Sequence, residues 1–531
     1  MTPTTLAEAL NCPEADFWVA AMTEELDSFD ENGVWDLVPH QADNNIVGTK
    51  WVYKRKIDAN NKVLFRARLV AKGFTQTYGV DYFEIYAPVV RRTALRLLFS
   101  VAVNFDLKID HLDVKTAFLH GDLSETVYMA QPEGFVSPGQ EGMICKLNKA
   151  VYGLKQAARS RNLKVDKIMK EQGFKNFCDE PCIYIKNHKG SVIIIALYVD
   201  DFYLVYNNNQ DKQDLLRILN SHFRIKDLGE AKNCLGIKLE RNWKNGSMVL
   251  HQEDYINHLL LKFNMTNCNP RYTPLESGLK IKTLNPGVVK TLPYQELIGC
   301  LLYLSVNTRP DISYAVSFLG QFNSCYTTLH WNLAKGLLHY LKLTASKGLL
   351  YTKSAKPTFC LTGFADADFA NNPDDFRSYS GYCFTLAGNL ISWESKKQKL
   401  TAQSTTESEY IAMTEAVKES IWLNELVGKL FECGKQTITV YNDNLSAITL
   451  AYSKGFSART KHMGVRLQFV RDCVEDGSVK IEHMSTDLMP ADVLTKALKR
   501  DKHEKCCKYL KMTNDSVPTN LIFKPVIKSK N

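Results

Sequence analysis

The longest apolar stretch of this chain runs from Val192 to Tyr206, and two adjacent acids, Asp200 and Asp201, break it. A bilayer span needs about 20 uninterrupted apolar residues, so this run is not one. It reads instead as two strands, Val192–Tyr198 and Phe202–Tyr206, joined at Val199-Asp200-Asp201. Neighbouring carboxylates at the tip of an apolar hairpin repel each other, and Asp is a poor strand residue. A solvated turn would use Asp-Asp as a breaker, but it does not need Tyr198 and Phe202 beside it. A divalent cation resolves the conflict, because hard cations take carboxylate and phosphate oxygens. Two such ions about 3.5–4 Å apart can activate a nucleophile and stabilise a leaving oxygen. A third acid, Asp113, ends another strand pattern, Leu107–Leu112, and strand pairing would bring it opposite the hairpin.

At 531 residues the chain has room for about three domains. Hydrophobic residues make up 45% and charged residues 23%, so each can bury a core. The net charge of +9 suits a polyanionic partner. The 14 cysteines are scattered. Cys178 and Cys182 lie close together, but no second pair follows at zinc-ligand spacing, so buried reduced thiols are expected. Met1 to Pro13 has neither a basic nor an apolar leader pattern, which points to an intracellular protein.

Strand patterns at Trp51–Ile57 and Val63–Val70 flank turn chemistry at Asp58-Ala59-Asn60-Asn61, a basic hairpin. Thr93–Val103 reads as an apolar helix. From Arg241 to about Lys356 the pattern is mostly helical, interrupted near Asn285-Pro286-Gly287. Near Pro357 a new unit starts: three strands, a long helix (Ser404–Leu430), a strand (Thr437–Tyr441), then helices. The basic end from Lys499 shows little pattern. This unit has its own acids. Asp366 sits in a strand pattern, and Glu409 shares a helix face with Ala412, Met413 and Ala416. Asp443 follows a strand, and Asp492 opens the segment Ala491–Leu498. Each alone reads as a cap or surface acid; four in this order suggest a second metal site. His483 reads as a surface histidine, with a proton shuttle as the alternative.

Several motifs resemble those of reverse transcriptases in copia-type LTR retrotransposon Pol polyproteins. Tyr198-Val199-Asp200-Asp201 resembles the polymerase motif, and His111 to Gly121, with Asp113, the first acidic motif. Lys149 to Arg159 resembles the template- and nucleotide-contacting motif, and Phe65 to Phe74 the fingers segment. Asp227-Leu228-Gly229-Glu230 with Leu235-Gly236-Ile237 resembles the region that holds the primer end, and Thr308-Arg309-Pro310-Asp311 follows in order. Ser404 to Tyr410, Tyr441 to Asn444 and Thr460-Lys461-His462 resemble the family's ribonuclease H motifs. The resemblance covers almost the whole chain.

It implies a right-hand polymerase followed by an RNase H-like domain, of mixed α+β and α/β class. Fingers and palm would take residues 15–240, thumb and connection 241–356, the RNase H-like domain 357–500, and a basic, disordered tail 501–531. It implies Mg²⁺, with Mn²⁺ as an alternative, two ions per site, on Asp113, Asp200 and Asp201 and on Asp366, Glu409, Asp443 and Asp492. Phe118 would select deoxynucleotides against a 2′-hydroxyl, and Gln156 would contact the nucleotide. Lys54, Arg66 and Arg68 would grip phosphates, and Gly236 would lie at the primer end. Implied partners are an RNA template, a DNA primer, an RNA–DNA hybrid, dNTPs, and the integrase and Gag of the same element, with no membrane. Implied locations are cytoplasmic virus-like particles and the nucleus. Three departures stand out: Arg161-Asn162 where the family carries aromatics, Phe369 where it carries Trp, and the basic pair Arg91-Arg92. They keep open a second reading, a non-catalytic nucleic-acid-binding remnant or domesticated protein.

Overall fold

The structure is a computed structural model that describes residues 2–57, 63–188, 190–281, 291–356, 358–453, 455 and 463–514. The Asp58 to Asn61 turn, the Asn285-Pro286-Gly287 interruption, the Thr460-Lys461-His462 match and the chain beyond residue 514 lie outside the described residues. Backbone packing gives two compact units: Met1–Val90 with Asp110–Gly229, and Arg91–Ile109 with Glu230–Asn531. The 241–356 and 357–500 segments both fall in the second. Among the described residues no helix is long and apolar enough to cross a membrane.

In the first unit, helix Ala15–Asn32 buries Trp18, Ala21, Met22, Glu25 and Phe29. That spacing marks one helical face. It packs on the hairpin Thr49–Ile57/Val63–Ala71, with Trp18 edge-on to Tyr53 at 5.3 Å and to Phe65 at 4.8 Å. Gly33, in the left-handed region, ends the helix. Glu25 is the one acid on the buried face, and its carboxylate accepts the Leu69 N–H at 3.3 Å. Burial pushes its pKa up to about 7. The folded state therefore holds a proton that the unfolded chain releases above about 4.5. Stability falls as pH rises from there to about 7, then levels off. Glu25→Gln keeps the acceptor without the charge. We expect it to be more stable than the parent at pH 8 by about 2 kcal/mol and equal to it at pH 4, read by urea midpoints.

A six-stranded sheet runs in the order Ile225–Glu230, Lys108–Val114, Asp201–Tyr206, Ser191–Tyr198, Glu180–His188, Lys175–Phe177. The central hairpin pairs Ile193 with Tyr206 through to Tyr198 with Asp201, leaving Val199-Asp200 as the turn. Ile193 to Leu197 and Phe202 to Tyr206 are all buried, which accounts for their unbroken apolar run. Behind the sheet, Lys212 of helix Asn209–His222 places Nζ 2.5 Å from Asp110 and 2.7 Å from Asp227. The Tyr206 hydroxyl donates to Asp110 at 2.8 Å. This cluster pins the strand that carries Asp113. A separate four-stranded sheet orders Trp35–Pro39, Met143–Lys149, Asp122–Met129 and Ile46–Val47.

The second unit holds two five-stranded sheets. One orders Asn233–Cys234, Ile237–Asn242, Ser247–His251, Gly348–Thr352 and Met512–Thr513. The other orders Asn389–Lys397, Tyr379–Leu386, Leu361–Asp368, Ile438–Asn442 and Val479–His483. Its first three strands are antiparallel and the last two join in parallel. Helix Thr405–Phe431 packs on it, as the sequence pattern predicts. Helix Arg92–Asn104 is buried from Ala94 through Asn104, as befits a helix apolar all round. Its one cation in that buried stretch, Arg96, donates to the carbonyls of Ile391 and Val306 at 2.7 Å and lies over the Trp393 ring at 3.9 Å. A helical core gathers Glu253–Lys262, Tyr294–Asn307, Ser313–Gly320 and Thr328–Leu343.

The disordered tail is corrected in part. Arg500–Tyr509 is a helix, and Met512–Thr513 pairs with Gly348 and Leu349. The helix buries His503, Cys506 and Cys507, a stripe too narrow and too polar to show as apolar periodicity. Within the segment Ala491–Leu498 the ordered element is a short 3-10 turn, Pro490–Leu494.

Candidate active sites

In the first unit the sheet brings Asp113 and the Asp200-Asp201 pair onto neighbouring strands, and the Val114 N–H donates to the Asp200 carbonyl at 3.1 Å. Val199 precedes them at φ +48°, a left-handed conformation that a β-branched side chain rarely adopts. Strain of this kind is held by the surrounding sheet and clusters at functional sites. Asp200 is largely buried, and its Oδ1 has no hydrogen-bond partner. Burial raises its pKa, and the charges of Asp201 and Asp113 raise it further, against Arg161 and Arg68. A buried carboxylate oxygen without a partner, amid like charge, suits a hard cation. Asp201 Oδ1 lies 2.7 Å from His111 Nε2, and the His111 ring stacks on Tyr203 at 4.8 Å.

The basic hairpin presents Lys54 and Arg66 as exposed cross-strand partners. Arg68 lies over the Tyr152 ring at 4.6 Å, and Phe118 meets the same ring edge-on at 4.9 Å. Gln156 belongs to the loop-facing end of the motif. It is 2% exposed, donates to the Asp81 carbonyl at 2.7 Å and accepts from Gln76 at 3.0 Å, so its amide ties down the 76–81 loop. Two glycines make the motif's packing possible. A Cβ on Gly153, at φ +91°, would stand 2.1 Å from the Ala71 carbonyl oxygen, and one on Gly73 would stand 2.1 Å from the Gly153 carbonyl oxygen. Gly153→Ala should lower the urea midpoint of the first unit by the equivalent of about 1–3 kcal/mol. A midpoint equal to the parent's would show that this backbone crossing can give way.

Gly236, in the second unit, sits at φ +78° beside Leu235 at φ +50°. The Tyr303 hydroxyl donates to the Leu235 carbonyl at 2.7 Å, directly where a Gly236 Cβ would stand.

The second unit's acids converge more tightly. One oxygen each of Asp366, Glu409 and Asp443 lies within 4.8 Å of the other two. Asp366 is on the central strand, Glu409 on the long helix and Asp443 just past the fourth strand. Asn442 donates to Glu409 at 3.0 Å and to the Ala365 carbonyl at 3.0 Å, and Thr486 donates to Asp443 at 2.7 Å. Burial pushes Asp366 up to about 7 and Glu409 well above the usual carboxylate range, and charge repulsion among the acids adds to both. Three carboxylates that converge this closely, two of them buried, fit a divalent cation.

Asp492 is outside this triad. Its oxygens meet Lys496 at 2.8 Å and Lys502 at 2.9 Å, and Lys496 also reaches Asp366 at 3.4 Å. Gly381, the cross-strand partner of Asp366, lets the Asp492 turn approach: a Cβ there would meet Leu494 at 2.7 Å and Thr495 at 2.8 Å. The Thr495 hydroxyl donates to Asp366. Lys496 stands four residues after Asp492, a spacing that could have flagged the pair in the sequence. His483 is exposed at a strand end.

A family model described as reverse transcriptase (RNA-dependent DNA polymerase) matches residues 32–277. The chain is 42% identical over 513 residues to the retrovirus-related Pol polyprotein from transposon TNT 1-94 of Nicotiana tabacum, covering 95% of this chain and 38% of that protein. It is 33% identical over 310 residues to a putative transposon Ty5-1 protein of Saccharomyces cerevisiae, covering 58% of this chain and 100% of that protein. Among solved structures it is similar to a foamy viral protease-reverse transcriptase in complex with RNA/DNA hybrid, at 13% identity and a TM-score of 0.44, covering 96% of this chain and 56% of that one. The chain spans 34–38% of the length of the plant Pol polyproteins it matches.

Proposed function

This chain belongs to the reverse transcriptase family of copia-type retrotransposon Pol polyproteins, and from that premise we propose that it copies RNA and DNA templates into DNA and cuts the RNA strand of an RNA–DNA hybrid. The observation that carries the reading is the placing of Asp113 beside Asp200 and Asp201 on one buried sheet, with a carboxylate oxygen left unpartnered. The acid triad of the second unit supports the hydrolytic half.

Divalent cations, Mg²⁺ or Mn²⁺ and two per site, would be held by Asp113, Asp200 and Asp201 and by Asp366, Glu409 and Asp443, with Asp492 as the fourth acid of that set, and would supply charge neutralisation at a phosphate and a more acidic nucleophile. In the first unit the chain's own groups orient the substrates. Lys54, Arg66 and Arg68 offer cations to triphosphate or template phosphates. Phe118, braced by Tyr152, stands against the sugar and excludes a 2′-hydroxyl. Gln156, which ties down the 76–81 loop, contacts the nucleotide. The Leu235-Gly236 turn, propped by Tyr303, supports the primer end. In the second unit Asn442 and Thr486 fix Glu409 and Asp443, and Lys496 offsets Asp366 and Asp492. Proposed partners are an RNA template, a DNA primer, the hybrid, dNTPs, and the element's integrase and Gag. Proposed locations are cytoplasmic particles and the nucleus. Fingers and palm over 15–240, connection over 241–356 and RNase H-like domain over 357–500 is the matching division of labour.

The buried Arg161 beside the polymerase acids favours a second reading, a template-binding remnant without catalysis. The test is dNTP incorporation on a primed RNA template with Mg²⁺, against Asp200→Asn/Asp201→Asn. Incorporation that the double substitution abolishes supports the polymerase. A folded parent that binds template–primer and incorporates nothing overturns it in favour of the remnant.

A further inference from the structure

Helix Ala157–Glu171 carries a cation where a water-exposed side chain would be ordinary and a buried one is costly. Arg161 is 3% exposed. It lies over the Phe202 ring at 5.7 Å, and Phe202 follows the Asp200-Asp201 pair directly. One of its guanidinium nitrogens is buried without a hydrogen-bond partner, as is the Oδ1 of Asp200. Among the described residues Arg161 makes no ion pair, yet Asp200 is the acid that most stabilises its charge, and Arg161 is the cation that most stabilises Asp200. Gly121 lets the helix come this close: a Cβ there would stand 2.8 Å from the Arg161 backbone nitrogen.

Arg68 also faces Asp200, but it is only half-buried and sits on the hairpin. Arg161 is buried against Phe202 of the catalytic hairpin, away from solvent. Its charge therefore acts on the acids at all times, and most strongly in a site of low dielectric. A positive charge fixed behind a carboxylate relieves repulsion when the site is empty of cations and opposes a divalent cation that enters.

We propose that Arg161 is a fixed countercharge in the floor of the polymerase site, a positioning residue that offsets the mutual repulsion of Asp113, Asp200 and Asp201 and weakens the grip of these acids on a divalent cation. The proposal rests on the polymerase reading of Asp200. It makes this chain demand more Mg²⁺ for synthesis than a relative with a neutral side chain at the position.

The test is Mn²⁺ binding to the full chain, read from the loss of the free-ion EPR signal, with Asp366→Asn/Glu409→Gln present throughout to silence the second unit. In that background Arg161→Met, close in volume and neutral, should lower the dissociation constant of the first-unit site about tenfold. Arg161→Gln should move it the same way, and Arg161→Lys should keep the parent value. Thermal melting without cations should show the neutral variants less stable than Arg161→Lys, and the apparent Mg²⁺ requirement for primer extension should fall in parallel with the Mn²⁺ constant. Equal Mn²⁺ affinity in parent, Arg161→Met and Arg161→Gln, with binding lost in Asp200→Asn, overturns the countercharge and leaves the polymerase reading standing. Parent binding that survives Asp200→Asn overturns both.

Discussion

Glu409→Gln should slow hydrolysis of the RNA strand in an RNA–DNA hybrid by about 10²–10³-fold, while nucleotide incorporation stays at the parent level. Glutamine keeps the length of the side chain and an oxygen to accept from Asn442. It removes the charge that, with Asp366 and Asp443, makes the cluster a cation site. The same change separates loss of function from loss of fold. Burial and the neighbouring acids hold the Glu409 carboxyl well above its usual range, so its ionisation opposes folding at neutral pH. The neutral variant should melt higher than the parent in the absence of divalent cations. Hybrid cleavage at the parent rate would remove the triad from the hydrolytic site. A lower melting temperature would make the activity loss uninformative and would contradict the repulsion among the three carboxylates.

The second large effect is structural. Arg309 and Asp311 are both fully buried, and the guanidinium meets both carboxylate oxygens at 2.9 and 2.8 Å. Arg309 also donates to the Thr344 carbonyl and hydroxyl at 2.8 and 2.7 Å, and Tyr340 donates to Asp311 at 2.5 Å. Removing one partner strands the other charge in the core, so Arg309→Met should destabilise the second unit by about 3–5 kcal/mol. Replacing both with apolar side chains, Arg309→Met/Asp311→Leu, should recover most of it. Arg309 holds the Asp311 carboxyl far below its usual range, so its contribution is complete above about pH 4 and lost only as pH falls further. Urea midpoints at pH 7 and pH 3 check both statements: the gap between parent and Arg309→Met should narrow in acid.

The motif Thr308-Arg309-Pro310-Asp311 was visible in the sequence, but that its charges never meet water was not. Burial is a property of what packs around a residue, here Tyr340 and Thr344, far along the chain. The acids were legible because chemistry fixes residue type: a carboxylate in an apolar strand or on a buried helix face needs a reason, and Asp200 and Glu409 announced theirs. The strands around Asp200 were legible from their runs of β-branched and aromatic residues on either side of the acids. Ser247–His251 and Gly348–Thr352 were not, because a short run buried at nearly every position has no alternation to separate strand from helix. Lys496, and the partners of Gln156, escaped for a different reason. Long polar side chains reach several neighbours, and only the fold decides whether Lys496 meets Asp492 and Asp366 or solvent, or whether Gln156 turns toward Asp81.

Helix Arg92–Asn104 belongs to the core of the second unit although it is encoded within the stretch that builds the first. During synthesis it leaves the ribosome long before its partners. The carbonyl that Arg96 binds, on Ile391, follows 295 residues later. At about 5–20 residues per second the helix waits roughly 15–60 s for that strand. For that interval an apolar helix with a single cation among its inward residues has nothing of its own to cover it. A nascent chain halted between residues 110 and 390 should thus be the species that aggregates or recruits chaperones, and release of the chain past the Asn389–Lys397 strand should end that exposure.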